Sequence, residues 1–217
     1  MKIIELSDVT FGYDEAEPPV LAHFNLAIKK GTCIVIEGDN GSGKTTLFRI
    51  INGLSFPQKG KFLFDGIEIN EKYLKDSRNA KLFHKRIGYL FQNPDVMLFN
   101  AKVYDEIAFG PRQMGMAEEE VKCRTQDCMR IFDLETLADK APYHLSGGQK
   151  KKTALAAVMS LNPEVIVLDE PFAGLDQKSQ QILTTFIEDL KKAGKTLLIA
   201  THNPDVKEKL ADVTISL

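Results

Sequence analysis

The chain has 217 residues, of which 43% are hydrophobic, and this composition suits one large folded domain rather than a disordered chain. Charge is balanced, with 28 Lys and Arg against 30 Asp and Glu, so the composition shows no excess of basic residues that would indicate binding to nucleic acid or acidic lipid. No stretch approaches the roughly 18 to 20 apolar residues that cross a bilayer, and residues 1–6 lack the apolar run of a signal peptide. The three cysteines form no C-x-x-C pair, which favours reduced thiols in a cytoplasmic protein.

The N-terminal part of the chain predicts an antiparallel sheet. Residues 3–10, 20–28 and 61–69 have the pattern of half-buried strands, and Pro18-Pro19 and Gly60 separate them. Strands of this kind usually keep one face on the core and leave the other in solvent.

Three short β-branched runs predict a second, parallel sheet. Residues 32–37, 165–168 and 196–200 are mostly apolar and do not alternate with polar residues, as expected of strands buried on both faces. Residues 45–51 are predicted to form a helix after the first run, and a second helical pattern lies between the other two. Strands that alternate with helices in this way indicate a parallel sheet with crossover helices.

Residues 94–157 are helical in pattern and predict a helical subdomain. We expect it to be inserted in a nucleotide-binding core made of residues 1–93 and 158–217, so that residues 1–217 form a single domain.

A glycine-rich loop follows the first buried strand. Residues 38–45 fit the phosphate-loop pattern G-x-x-x-x-G-K-[ST], whose glycines let backbone N–H groups approach phosphate oxygens. Lys44 is expected to reach the β- and γ-phosphates, and Thr45 to offer its hydroxyl to Mg²⁺. The residues predicted here to bind the nucleotide are Asp39, Asn40, Gly41, Ser42, Gly43, Lys44, Thr45 and Thr46.

Two carboxylates end the second buried strand. Asp169 is the expected partner of Mg²⁺, because the carboxyl ends of parallel strands meet at the edge where nucleotides bind. Glu170 follows and would project towards the γ-phosphate. An isolated Asp-Glu pair at a strand end is commonly only solvated, but the phosphate loop upstream favours a functional pair.

The segment Leu145-Ser146-Gly147-Gly148-Gln149 opens another predicted helix, whose N–H groups and dipole form a second anion site. With this segment and the phosphate loop in this order, the chain resembles the ATPase subunit of an ATP-binding cassette (ABC) transporter. The resemblance implies an α/β fold, a P-loop NTPase with a parallel-sheet core, an antiparallel β side sheet and an inserted helical subdomain. It also implies ATP and Mg²⁺ as ligands.

The same resemblance implies further roles. Glu170 would be the general base that polarises the attacking water, and His202, after the strand 196–200, would contact the γ-phosphate and hold water and Glu170 in line. Gln92 would sense Mg²⁺ and the γ-phosphate. Tyr13 would stack on adenine, with ordinary core packing as the alternative.

Partners follow from the resemblance as well. Two ATPase subunits would face each other head to tail, so that Ser146, Gly148 and Gln149 of one close over the ATP of the other, with Asp176 at the interface. The ATPase pair would act through integral membrane transporter subunits at the cytoplasmic face of the membrane, as a peripheral protein and without nucleic acid. Whether the pair is a homodimer or a heterodimer stays open.

Residues 92–111 point to a narrower group of ATPases within this family. They are similar to ATPases of energy-coupling-factor (ECF) and cobalt/nickel importers, which take up vitamins or transition-metal ions. The alternatives are ATPases of another ABC system, such as a lipoprotein-release, cell-division or exporter complex. The chain departs from the family pattern in two places: Lys150 to Lys152 make the start of the helix richer in lysine, and Phe172 replaces the usual threonine. The sequence also ends at Leu217, where ECF-type ATPases usually continue into a dimerising extension. This last feature favours a dimer that depends on nucleotide.

Apolar residues after Gln92 predict a docking surface for a short helix of the transmembrane subunit, although some of them must pack in the core. Met97 is taken as an exposed example. The set is Met97, Leu98, Phe99, Val103, Tyr104, Ile107 and Phe109.

Overall fold

The computed structural model describes residues 1–14 and 16–217. Its strands, in chain order, are β1 (Lys2–Phe11), β2 (Leu21–Lys29), β3 (Cys33–Glu37), β4 (Lys59–Phe64), β5 (Ile67–Glu68), β6 (Ile87–Leu90), β7 (Val165–Asp169), β8 (Thr196–Ala200) and β9 (Val213–Ser216). Its α-helices are α1 (Lys44–Ile51), α2 (Glu71–Lys75), α3 (Ser77–Arg86), α4 (Val103–Gln113), α5 (Glu118–Ile131), α6 (Gly147–Met159), α7 (Gln177–Lys192) and α8 (Pro204–Leu210).

The predicted antiparallel sheet is present, with the strand order β2-β1-β4-β5. One detail of the prediction is wrong, because residues 61–69 are not one strand but the two arms of a hairpin. Asp65 and Gly66 both adopt left-handed backbone conformations, with φ of 51° and 80°. An Asp-Gly pair with positive φ at both positions is a favoured two-residue hairpin turn, so β4 folds back onto β5.

The predicted parallel sheet is also present, with the strand order β6-β7-β8-β3-β9. Its central strands are buried on both faces, which explains their continuous apolar runs. Side chains alternate between two cores: Ile34 and Ile36 face α1 and the antiparallel sheet, whereas Val35 faces the helices of the other side. This sheet brings the carboxyl ends of β3, β7 and β8 to one edge.

Residues 94–157, all of which the structure describes, contain helices and turns and no strand, as predicted. The last helix of the segment, α6, continues to Met159. The segment packs against the parallel sheet through a core that includes Val103, Ile107 and Leu155. The helices α2, α3 and α8 and the strand β9 were not predicted from the sequence.

Among the helices in residues 1–14 and 16–217, we find none with the length and apolarity that a membrane crossing requires.

Candidate nucleotide site

The parallel sheet gathers the predicted site residues at one edge. β3 pairs with β8 and β8 pairs with β7, all in parallel, so the segments that follow these strands lie side by side. The segments that follow β3 and β7 border a cleft of about 480 Å³, and His202, after β8, lies beside Glu170 of that cleft. The lining residues of the cleft are Tyr13, Val20, Asn40, Gly41, Gly43, Lys44, Thr45, Thr46, Gln92, Asp169 and Glu170.

The phosphate loop owes its shape to glycine at two positions. Gly43 caps α1 with φ of 104°, and a Cβ at Gly38 would lie 2.5 Å from Ser42 Oγ. Lys44 Nζ donates hydrogen bonds to the carbonyl oxygens of Gly38 at 2.6 Å and Asp39 at 2.9 Å. Ser42 Oγ is buried and, within the described residues, has no hydrogen-bond partner. A free hydroxyl and the first N–H groups of α1 therefore suit an anionic phosphate.

Asp169 ties β7 to the phosphate loop. Its Oδ2 accepts hydrogen bonds from Thr45 Oγ1 at 2.9 Å and from the Tyr89 hydroxyl at 3.1 Å. Burial raises the pKa of Asp169, and these hydrogen bonds, with the charge of Lys44, oppose that rise. A hydroxyl and a carboxylate this close form the hard oxygen set that Mg²⁺ prefers.

Tyr89 also belongs to the site, although no sequence pattern predicted a role for it. The residue lies on β6 and pairs with Val167 of β7, and this register brings its hydroxyl to Asp169. Burial raises its pKa, so the phenol stays a hydrogen-bond donor. The position of Tyr89 before Phe91-Gln92 was visible in the sequence, but the register was not.

Glu170 and His202 lie at adjacent strand ends. The Glu170 side chain is mostly buried, and its Oε1 lies 3.3 Å from His202 Nε2. Burial raises the pKa of Glu170, while the nearby His202 and Lys44 lower it by a smaller amount. The Glu170 backbone is left-handed, with φ of 46°, and its N–H donates to the Ala200 carbonyl at 3.0 Å. A buried carboxylate held in this way has the features of a general base.

Gln92 and Tyr13 both line the cleft. Gln92 is exposed and lines the cleft together with Thr45 and Asp169. Tyr13 is 63% exposed, its hydroxyl lies 3.1 Å from Thr46 Oγ1, and its ring packs edge-on against Phe11. This exposure argues against the alternative that Tyr13 packs in the core.

The second anion site stands apart from the cleft. Ser146 caps α6, and a reciprocal pair of hydrogen bonds joins it to Gln149: Ser146 N donates to Gln149 Oε1 at 3.0 Å, and Gln149 N donates to Ser146 Oγ at 3.3 Å. Ser146, Gly148 and Gln149 line a separate cavity that also includes Asp176. Asp176 caps α7 by accepting from Ser179 N at 2.8 Å. We call residues 145–149 the signature segment and α6, which they open, the signature helix. Within one chain, the signature segment is not part of the phosphate-loop cleft.

The structure corrects one detail of the predicted docking surface. Met97 is only partly exposed, packs against the core, and its sulfur accepts from Phe91 N at 3.5 Å. Val103 and Ile107 are fully buried. The exposed members are Phe99 and Phe109, with 66% and 38% exposure and ring centroids 4.9 Å apart.

The family model described as "ABC transporter" matches residues 21–173. The chain belongs to the ABC transporter family. It is the ATPase subunit of such a transporter, and it binds ATP.

Two relatives of the cassette carry names that specify a transport system. The nickel import ATP-binding protein LarO of Lactiplantibacillus plantarum is 45% identical over 90% of this chain and 81% of its own length. The energy-coupling factor transporter ATP-binding protein EcfA of Methanocaldococcus jannaschii is 41% identical over 98% of this chain and 74% of its own length.

Two solved structures share the fold of the cassette. One is a dimeric ATP-binding cassette in a post-hydrolysis state with ADP and Pi, with a TM-score of 0.89, 30% identity, and coverage of 99% of this chain and 94% of that one. The other is cbiO1 from Clostridium perfringens, part of the ABC transporter complex cbiONQ. Its TM-score is 0.84 at 34% identity, over 99% of this chain and 84% of that one.

Proposed function

We propose that this cassette powers the import of a small solute, a vitamin or a transition-metal ion, through partner transmembrane subunits at the cytoplasmic face of the membrane. The observation that carries the proposal is the identity of 45% with a nickel import ATPase over 90% of the chain. The identity of 41% with an energy-coupling factor ATPase supports the same class of system.

ATP is bound, in this proposal, across the cleft at the sheet edge. The ring of Tyr13 stacks on adenine, and residues 39–46 surround the phosphates with N–H groups. Lys44, whose amino group already lies among carbonyl oxygens at the loop, donates to the β- and γ-phosphates. Thr45, Asp169 and Gln92 would hold Mg²⁺, which neutralises charge on the phosphates when bound.

Glu170 is the general base in this scheme. Its carboxylate accepts the proton of the attacking water, and burial favours that acceptance because it raises the pKa of the carboxyl. His202 orients the carboxylate from 3.3 Å and contacts the γ-phosphate. Asp169 is not assigned the role of base, because its Oδ2 already accepts hydrogen bonds from two hydroxyl groups.

A second ATPase subunit completes the site. Since the signature segment of this chain lines a separate cavity, Ser146, Gly148 and Gln149 serve the ATP of the partner. Residues 94–157 then act as the subdomain that presents the signature, on a core of residues 1–93 and 158–217. The exposed pair Phe99 and Phe109 is the contact offered to the transmembrane subunit.

The decisive experiment is capture of the tagged full chain from native membranes, with identification of its partners. Vesicles holding the recovered complex are then assayed for ATP-dependent uptake of nickel, cobalt and a panel of vitamins. Uptake of one of these, absent with Glu170→Gln, supports the proposal. Recovery of lipoprotein-release, cell-division or exporter subunits instead contradicts it and supports the alternative class of ABC system.

A further inference from the structure

Three consecutive lysines after the signature have three different surroundings. Lys150 pairs with Asp95 at 2.7 Å, and Lys152 pairs with Asp133 at 3.4 Å. Lys151 is only 7% exposed, and in the described part of the chain no carboxylate lies within ion-pair distance of its amino group. A buried ammonium group is costly unless hydrogen bonds satisfy it, so its partners matter.

The partners of Lys151 are backbone carbonyls of the loop that begins at Glu170. Lys151 Nζ donates to the carbonyl oxygen of Ala173 at 2.6 Å and lies 3.4 Å from that of Glu170. Burial lowers the pKa of Lys151, and the charge of Glu170 offsets part of that shift. The side chain therefore leaves α6, the helix capped by Ser146, and ends on residues 170–173 after β7.

The loop needs such support because Glu170 has a left-handed backbone. Its φ of 46° is unfavourable for a residue with a Cβ, and such conformations persist only when the surroundings hold them. The Glu170 N–H is held by Ala200 at 3.0 Å, and the Glu170 carbonyl accepts from Ala173 N at 3.2 Å. Lys151 supplies a further hold, which comes from α6.

We propose that Lys151 is a positioning residue that connects the signature helix to the catalytic loop. Its ammonium fixes the carbonyls of Glu170 and Ala173, so that the Glu170 carboxylate takes its working position when α6 is correctly placed against the core. A displacement of α6 relative to β7 moves the ammonium away from the loop and lowers the rate of hydrolysis. The inference rests on the proposed role of Glu170 as general base.

The test compares ATP hydrolysis and ATP binding in full-length variants. Lys151→Met keeps the length of the stem and removes the charge and its donors. Lys152→Met is the matched control, because it removes an adjacent lysine whose ion pair with Asp133 stays within residues 94–157. Lys151→Arg restores a cationic donor, and Lys151→Gln keeps a neutral one. Thermal unfolding of each variant and the Kd for ATP are measured alongside.

For Lys151→Met we expect kcat to fall about 10- to 100-fold, as the loss of hydrogen bonds to a charged group implies, with the Kd for ATP within about twofold. Lys151→Arg recovers a large part of kcat, and Lys152→Met retains it. If Lys151→Met does not fold, we expect Lys151→Gln to show a smaller fall in kcat, again with the Kd for ATP nearly unchanged.

The proposal is overturned if Lys151→Met hydrolyses ATP at the native rate, if Lys152→Met loses as much activity, or if only the Kd for ATP changes. A folded Lys151→Gln with native kcat would overturn it as well. Glu170→Gln is assayed in parallel: if that variant stays active, the general-base assignment fails, whereas an inactive Glu170→Gln beside a fully active Lys151→Met refutes the Lys151 proposal alone.

Discussion

Glu170 Oε1 and His202 Nε2 lie 3.3 Å apart, although the two residues follow different strands of the parallel sheet. The contact exists because β7 and β8 pair in register, with Asp169 opposite Ala200. Within the described residues, Glu170 Oε1 has no formal hydrogen-bond partner, so the carboxylate is buried and still free to accept a proton. His202 faces it from a more exposed position.

Glu170→Gln is expected to keep ATP binding and to lose hydrolysis by about 10²- to 10⁴-fold, because the amide cannot accept the proton of water. The ATP-bound dimer then cannot hydrolyse its ATP and therefore does not dissociate. Light scattering of the variant with ATP and Mg²⁺ should report a dimer, and removal of Mg²⁺ or ATP should return monomers.

The control for that experiment is native protein with ADP, which we expect to be largely monomeric. Turnover of Glu170→Gln near the native rate removes Glu170 from the general-base role. A single oligomer that is independent of nucleotide contradicts the linkage between ATP and the second subunit.

Tyr13→Ala is expected to weaken ATP binding by about 1–3 kcal/mol, the value of a lost base-stacking contact. Tyr13→Phe separates the ring from the hydroxyl, which lies 3.1 Å from Thr46 Oγ1. We expect Tyr13→Phe to bind ATP within a few tenths of a kcal/mol of the native chain, since the phenylalanine keeps the stacking ring. Fluorescence titration with a labelled ATP analogue measures both, and native affinity in Tyr13→Ala refutes the stacking role.

The elements that sequence predicted best are those in which one physical signal dominates. The strands at 165–168 and 196–200 are apolar on both faces, so burial alone identifies them. The hairpin at Asp65-Gly66 was missed because the run around it reads as one strand, even though Asp-Gly is a turn signal.

Long-range contacts could not be predicted in the same way. Lys151 belongs to a run of three lysines, a pattern typical of a solvated helix face, and only the fold shows that its amino group is buried against the loop after β7. Tyr89 likewise reaches Asp169 through a strand register that no local pattern encodes. The phosphate loop was predictable because its chemistry lies within a few consecutive residues.

Phe99→Glu tests the docking surface in place of a change at Met97, which packs against the core. Phe99 is 66% exposed and packs edge-on against Phe109, so a charge there spares the fold. We expect native basal ATPase activity, weaker recovery of the membrane subunits and loss of transport. Leu82→Glu, on α3 and 56% exposed, is the control and should leave the complex intact. Intact transport in Phe99→Glu would locate docking elsewhere.

Arg86 joins the two sheets. At the end of α3, its guanidinium donates to Asp65 in the β4–β5 turn at 2.6 Å and to Glu164, just before β7, at 2.9 Å. Its Cζ also lies 4.9 Å from the centroid of the Phe64 ring. The Arg86 side chain is 28% exposed and that of Asp65 20%, whereas Glu164 is 40% exposed. The Glu164 contact is bidentate, with a second hydrogen bond from Arg86 Nη2 to Glu164 Oε2 at 3.1 Å, whereas the Asp65 contact is a single, shorter hydrogen bond between less exposed groups.

Arg86→Met is expected to lower the free energy of unfolding by about 1–2 kcal/mol at neutral pH, less than a fully buried pair would lose, because solvent screens Glu164. Arg86 holds the pKa of Glu164 below its ordinary value. This stabilisation is therefore complete above the unfolded-state pKa and is lost as pH falls through the lower folded-state value. Urea unfolding should show the difference between native and variant chains shrinking below about pH 4. Lys75→Met, which breaks an exposed pair with Glu71, should cost under about 0.5 kcal/mol. An equal loss in both variants would mean that Arg86 is an ordinary surface charge and that the two sheets are held together by their apolar core alone.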